Sequence, residues 1–270
     1  MTTNFSAEEA SMNNWPKSST QLYSDTGGSG LPILILLHGL AGSASVWDGL
    51  TPILASEWPG RWIAPDLRGH GRSFHGGPYG YSAHASDVAN LLEQDDEVIV
   101  LGHSMGGAVG MALAAGQFGI KINKVVAFGV KMEFSLDQVN KLKEIGHAPV
   151  RWFDSEDEAI DRYLKVSGMK GLINPQSKAA KLGVIACDGK FRMAMDPCAN
   201  LVAGQPTGAL IDAMSAPLHL AVGDNDVMVT LEETRRYDSS ALCIPGLGHN
   251  MHIEAPERLW EQLKTLLMAP

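Results

Sequence analysis

The most constraining stretch of this chain is the aliphatic run Glu97-Val98-Ile99-Val100-Leu101, which passes without a break into Gly102-His103-Ser104-Met105-Gly106-Gly107. A run of this kind suits a strand buried on both faces. The residues that follow, Ala108–Ala115, read as a helix of small residues. Strand must therefore become helix within a residue or two. So sharp a turn crowds the backbone, and glycine at 102 and 106 removes the Cβ atoms that would collide. Ser104 is pushed out at the carboxyl edge of the sheet, where open α/β sheets place ligands. The helix beginning at Met105 points its free N–H groups at the same spot.

Elsewhere strands and helices alternate. Ile33–Leu37, Arg61–Ala64, Lys124–Gly129, Leu218–Val222 and Ala241–Ile244 read as strands. Thr20–Ser24 reads as a short edge strand, followed by a turn at Asp25–Gly30. Val46–Ala55 (weakened by Pro52), Tyr81–Leu92 and Pro256–Met268 carry helical spacing. Alternation predicts an α/β fold around a mostly parallel sheet. It lapses once, over residues 131–216, where Leu136–Ile145, Glu156–Val166 and Lys178–Ile185 are helical by pattern and no convincing strand is found. The expected organisation is a flexible arm over 1–18, a core from 19–130 and 217–270, and a helical insert over 131–216.

Composition narrows the function classes. Hydrophobic residues make up 45% and charged residues 19%, enough apolar material for a sizeable core. The net charge is −9, which disfavours binding to nucleic acid. Three cysteines, Cys187, Cys198 and Cys243, make neither a disulfide framework nor a zinc site, and a reducing cytoplasm fits best. Met1–Asn14 lacks the basic and apolar regions of a signal peptide. The longest clean apolar run, Ile33–Leu37, is far shorter than the roughly 20 residues of a membrane span, so no membrane association is expected.

A serine hydroxyl becomes a useful nucleophile when a base removes its proton, and that base needs an acid to orient it. His249, in Gly246-Leu247-Gly248-His249, follows the last strand. Asp226, in Gly223-Asp224-Asn225-Asp226, follows the strand before it. Both lie on loops at the edge that carries Ser104. Asp224 competes with Asp226 as the acid, and Glu133 is a more remote alternative. His103, next to the nucleophile, points away from it at such a turn; His38 and His70 read as loop-shaping residues. Asp66, Arg68 and Arg72 tie down their loop. His249 and His252 do not sit on a helix at ligand spacing, so no metal site is read there.

Four blocks carry a family resemblance: His38-Gly39; Asp66-x-Arg68-Gly69-His70-Gly71-x-Ser73; Gly102-His103-Ser104-Met105-Gly106-Gly107; and Gly248-His249 with Glu254-x-Pro256-Glu257. The sequence resembles the α/β-hydrolase fold superfamily from about Leu22 to Leu267, in its branch of small capped esterases and C–C hydrolases. The resemblance implies a Ser104–His249–Asp226 triad, its spacing favouring Asp226 over Asp224. It implies an oxyanion hole from the backbone N–H groups of Leu40 and Met105, and a helical cap at 131–216. Phe134, Trp152, Phe153 and Met193, with Met195, either line an apolar acyl pocket or form the core of the cap. The implied activity is hydrolysis of an ester or related acyl bond in a small molecule, with no metal or organic cofactor. A serine nucleophile argues against the carboxylate-dependent dehalogenases and epoxide hydrolases of this fold. The same triad serves C–C hydrolases, lactonases and cofactor-free perhydrolases, and a ligand-binding protein on the same fold is the non-enzyme alternative.

Overall fold

The computed structural model describes residues 21–115, 118–205 and 207–269, so the arm expected over 1–18 lies outside the described residues. The chain opens with β1 (Ser24–Gly28), β2 (Ile33–Leu37), a 3-10 turn at Ala44–Trp47, α1 (Thr51–Glu57), β3 (Arg61–Pro65) and α2 (Tyr81–Ala89). Next come β4 (Val98–His103), α3 (Met105–Ala114) and β5 (Ile122–Phe128). The stretch after β5 holds α4 (Leu136–Gly146), α5 (Glu156–Val166), α6 (Lys178–Leu182), β6 (Val184–Cys187), β7 (Lys190–Met193), a 3-10 segment at Pro197–Val202 and α7 (Thr207–Ala213). The chain closes with β8 (Leu218–Gly223), α8 (Leu231–Arg235), β9 (Leu242–Ile244), α9 (Met251–Glu254) and α10 (Pro256–Met268).

Among the described residues seven strands form one sheet in the order β1-β3-β2-β4-β5-β8-β9. β1 pairs antiparallel with β3, and the other neighbouring pairs are parallel. Because side chains alternate across a strand, each central strand feeds two cores. Ile33, Ile35, Leu37, Val98, Val100 and Val125 face one layer, with α2 and α3 packed on them. Leu34, Leu36, Ile99, Leu101, Val126 and Phe128 face the other, against Trp47, Leu54 and the Leu259, Trp260, Leu263 and Leu267 stripe of α10. This two-sided burial is why the strands read as unbroken aliphatic runs. No helix among the described residues is long and apolar enough to cross a membrane.

The structure departs from the sequence reading in three places. The residues read as a turn, Asp25–Gly28, belong to β1, which pairs along Arg61–Pro65. Gly27 lies over an indole: a Cβ there would sit 2.6 Å from the Trp62 ring, so glycine marks a close approach and not a bend. The helix read over Val46–Ala55 is two pieces, a 3-10 turn and α1, and Pro52 occupies the first turn of α1, where its missing N–H costs nothing. The stretch 131–216, read as free of strands, contains the β6–β7 hairpin. Its turn residues Asp188 and Gly189 both have positive φ, 49° and 75°. That Asp-Gly pair is the usual signature of a tight hairpin turn and was visible in the sequence.

The loop after β3 is anchored by one buried carboxylate. Asp66 accepts hydrogen bonds from the Ala44 N–H at 2.6 Å, the Arg72 N–H at 2.9 Å and the Arg72 guanidinium at 2.7 Å. A Cβ on Gly71 would stand 2.4 Å from the same carboxylate, so residue 71 must be glycine for the loop to wrap it. His38 adds a second tie, its Nε2 accepting from the Leu67 N–H at 2.9 Å and its Nδ1 donating to the Gly39 carbonyl at 2.8 Å. Replacing Asp66 by Ala strands these donors and should cost about 3 kcal/mol of folding stability, read by urea denaturation. A shift well under 1 kcal/mol would show that the network is dispensable.

Candidate active site

Register brings the loops after the parallel strands to one edge. Leu37 stands beside Gly102, His103 beside Phe128, Phe128 beside Ala221, and Gly223 beside Ile244. The next residues in each strand therefore emerge together. Ser104 is the pivot between β4 and α3, with φ 50° and ψ −117°. A side chain in this region is strained, at a cost of about 1–3 kcal/mol. Close packing holds it there: the Ser104 N–H donates to the Phe128 carbonyl at 2.9 Å. A Cβ on Gly106 would stand 2.2 Å from the Leu37 carbonyl oxygen, and one on Gly102 would stand 2.6 Å from the Gly107 backbone.

His249 Nδ1 lies 2.8 Å from Asp226 Oδ2, and that carboxylate is fully buried. The other oxygen of Asp226 accepts from the Met228 N–H at 2.7 Å and the Val229 N–H at 3.1 Å, which fixes its orientation. The rival acids are engaged elsewhere. Asp224 caps the Gly246 N–H at 2.5 Å, and Glu133 accepts from the Tyr237 hydroxyl at 2.6 Å. Gly129, with φ 64°, passes under the pair; a Cβ there would be 3.2 Å from the His249 ring. Ser104 Oγ makes no hydrogen bond to His249 in this structure, a contact that commonly tightens only when substrate is bound.

His103 has a position the sequence did not reveal. Its Nε2 donates to the His249 main-chain carbonyl at 3.0 Å, and its ring lies 4.8 Å from that of His249. Burial, with the neighbouring His252 and His249, holds its pKa well below the usual imidazole range, so it is a neutral donor. His252 lies against it, ring centroids 4.4 Å apart and tilted by 44°, and burial pushes its pKa down to about 3. Among the described residues neither ring nitrogen of His252 has a hydrogen-bond partner.

Leu40 follows Gly39, where a Cβ would stand 3.2 Å from the Ser104 Cβ. Glycine there lets the loop after β2 approach the serine. Met105 opens α3, so its N–H has no acceptor within the helix. Leu40, Met105 and Ser104 line one cavity of about 500 Å³, with Val130, Phe134, Leu142 and Val202 among its apolar walls. Of the residues expected in an acyl pocket, Phe134 is there and Trp152, Phe153 and Met193 are not. Phe153 is held to Phe191 by paired backbone hydrogen bonds of 2.8 and 3.0 Å. Trp152 lies 5.8 Å from the Arg192 guanidinium, and Met193 packs toward Met195, Ala41 and Ala199. Phe153 and Met193 are thus engaged by the hairpin and its neighbours. The α4 residues that do line the cavity, Gln138, Lys141, Leu142 and Ile145, recur at helical spacing. That stripe was readable, but nothing in the sequence said what it faced.

The profile of the alpha/beta hydrolase family matches residues 34–262, and the chain belongs to that family. It is 42% identical over 158 residues to lipase LipV of Mycobacterium tuberculosis, covering 58% of each chain. It is 29% identical over 170 residues to protein phosphatase methylesterase 1 of Pongo abelii, covering 60% of this chain and 44% of that one. The match thus spans less than half the length of the methylesterase. Among solved structures, a thermophilic esterase from Thermogutta terrifontis superimposes with a TM-score of 0.70 at 23% identity, over 91% of this chain and 92% of that one.

Two outcomes follow from this geometry. Gly106→Ala should abolish or strongly reduce recovery of folded protein, because its Cβ meets backbone oxygen; Gly76→Ala, where a Cβ meets nothing within 4 Å, should leave the melting temperature unchanged. His252 has a folded pKa of about 3, below the ordinary 6.5 of the unfolded chain. Below pH 6.5 the unfolded chain takes up a proton that the folded chain refuses, so this contribution to stability is present above pH 6.5 and lost as pH falls toward 3. His252→Phe should therefore flatten the fall in melting temperature between pH 7 and pH 5, measured by calorimetry against the parent.

Proposed function

We propose that this member of the alpha/beta hydrolase family is a serine hydrolase that cleaves a carboxylic ester of a small molecule. One observation carries the reading: the His249–Asp226 pair stands at the sheet edge where the strained Ser104 pivot faces an apolar cavity. The likeness to a lipase and a methylesterase supports ester chemistry. In this reading Ser104 Oγ attacks the carbonyl carbon while His249 Nε2 takes the hydroxyl proton. Asp226 holds the Nδ1–H tautomer and stabilises the imidazolium. The negative charge on the carbonyl oxygen falls between the Leu40 and Met105 N–H groups, preorganised donors of a kind whose removal typically costs about 3 kcal/mol each. The bond to the alcohol oxygen breaks, and the alcohol leaves with the proton from His249. Water, deprotonated by the same imidazole, then releases the acid and restores Ser104. The stretch 131–216 serves as a cap whose Phe134, Leu142 and Val202 wall the acyl group.

Ser104→Ala should lower kcat for a p-nitrophenyl ester by about a thousandfold or more, and a fluorophosphonate should label Ser104 alone, as located by mass spectrometry. Asp226→Asn should lower kcat by about 10³–10⁴-fold, and Asp224→Asn by less than about threefold. Unchanged hydrolysis in Ser104→Ala would sink the reading. The reverse ranking of the two aspartates would move the acid to Asp224.

A further inference from the structure

The charged groups that line the Ser104 cavity are of one sign. Lys131 and Lys141 border it, and among the described residues no aspartate or glutamate does, although the chain carries 30 acidic and 21 basic residues. Lys141 lies on the stripe of α4 that turns Leu142 and Ile145 to the same space, where an apolar residue would serve a plain acyl pocket better. Its ammonium makes no ion pair or hydrogen bond among the described residues, although Asp137 and Glu144 lie one turn away on the same helix. Among the described residues Lys131 donates only to the Met228 carbonyl, at 3.3 Å, and it lies 5.8 Å from the Phe134 ring centroid. Of the nearby carboxylates, Glu233 caps Thr230 and feels the Lys131 charge without a hydrogen bond or ion pair to it, and Glu133 binds Tyr237 and Arg236. Gln138, also at the cavity, is committed to the Ser135 N–H.

We propose that the cavity selects esters whose acyl chain ends in a carboxylate, with Lys131 and Lys141 as the specificity-determining residues. This rests on the serine-hydrolase reading of Ser104. The apolar wall takes the methylene chain, and the far carboxylate stays near the mouth. There Lys141 is exposed and Lys131 half-buried, so the anion need not be stripped of water. An exposed ion pair is worth up to about fivefold in affinity, so two together are worth up to about 25-fold, and a preference of about tenfold lies within that bound.

The test compares p-nitrophenyl hydrogen suberate with p-nitrophenyl octanoate, which share leaving group and acyl length. The parent enzyme should prefer the suberate by about tenfold in kcat/KM, mainly through KM, and 0.5 M salt should erode the preference. Lys131→Met/Lys141→Met should bring the ratio close to one, whereas Lys141→Arg should keep it. Equal use of both esters by the parent, or a preference that survives the double substitution, would overturn the proposal. Binding is read separately by titrating Ser104→Ala protein with suberic acid monoamide and with octanamide. Tighter binding of the monoamide without any ester hydrolysis by the parent would overturn the hydrolase reading and keep the anion selectivity. Hydrolysis of both esters with equal binding of both amides would do the reverse.

Discussion

Everything at the candidate site depends on how closely α3 lies against the strands beside it. Gly106 rests on the Leu37 carbonyl, Gly102 on the backbone of Gly107, and Gly107 on Val130, each at a distance that excludes a Cβ. This contact leaves no room for a relaxed loop between β4 and α3, so the whole reversal falls on one residue, Ser104 at φ 50°. The same closeness turns the start of α3 toward the cavity and leaves the Met105 N–H without an intrahelical acceptor. Strain at the serine is offset by this close packing of α3 on the sheet.

A second layer of order comes from neutral groups. His38 spans the loops after β2 and β3 with one donated and one accepted bond, which fixes its neutral tautomer. His103 supports the main chain of His249, and burial keeps both His103 and His252 uncharged. In this cluster of imidazoles His249 alone is hydrogen-bonded to a carboxylate. Uncharged rings around the His249–Asp226 hydrogen bond bring no competing cation beside that carboxylate. The Asp66 network plays the matching role for the loop that carries Leu40, through the Ala44 N–H.

Much of this was legible in the chain. The aliphatic runs announced the sheet because both of its faces are covered, and Gly102-x-Ser104-x-Gly106 announced the turn because no other residue type fits the spacing between strand and helix. The α5 and α10 spans matched their periodicity, since each helix buries one clear stripe. What failed had local causes. Gly27 reads as a turn residue in sequence but makes room for Trp62, and the Asp188-Gly189 turn is masked by the helical pattern on either side of it. The resemblance favours Asp226 over Asp224 as the acid; the loop geometry, which puts Asp226 against His249 and Asp224 against the Gly246 N–H, is not legible in the sequence.

The sequence by itself determined the class of fold, the pivot serine and the loops from which a base and an acid could come, because each depends on short-range sterics or on period. Only the tertiary structure decided which aromatic residues face the cavity and that two lysines border it. Those facts depend on how the stretch 131–216 folds back, and contacts between residues distant in sequence leave no periodic trace along the chain.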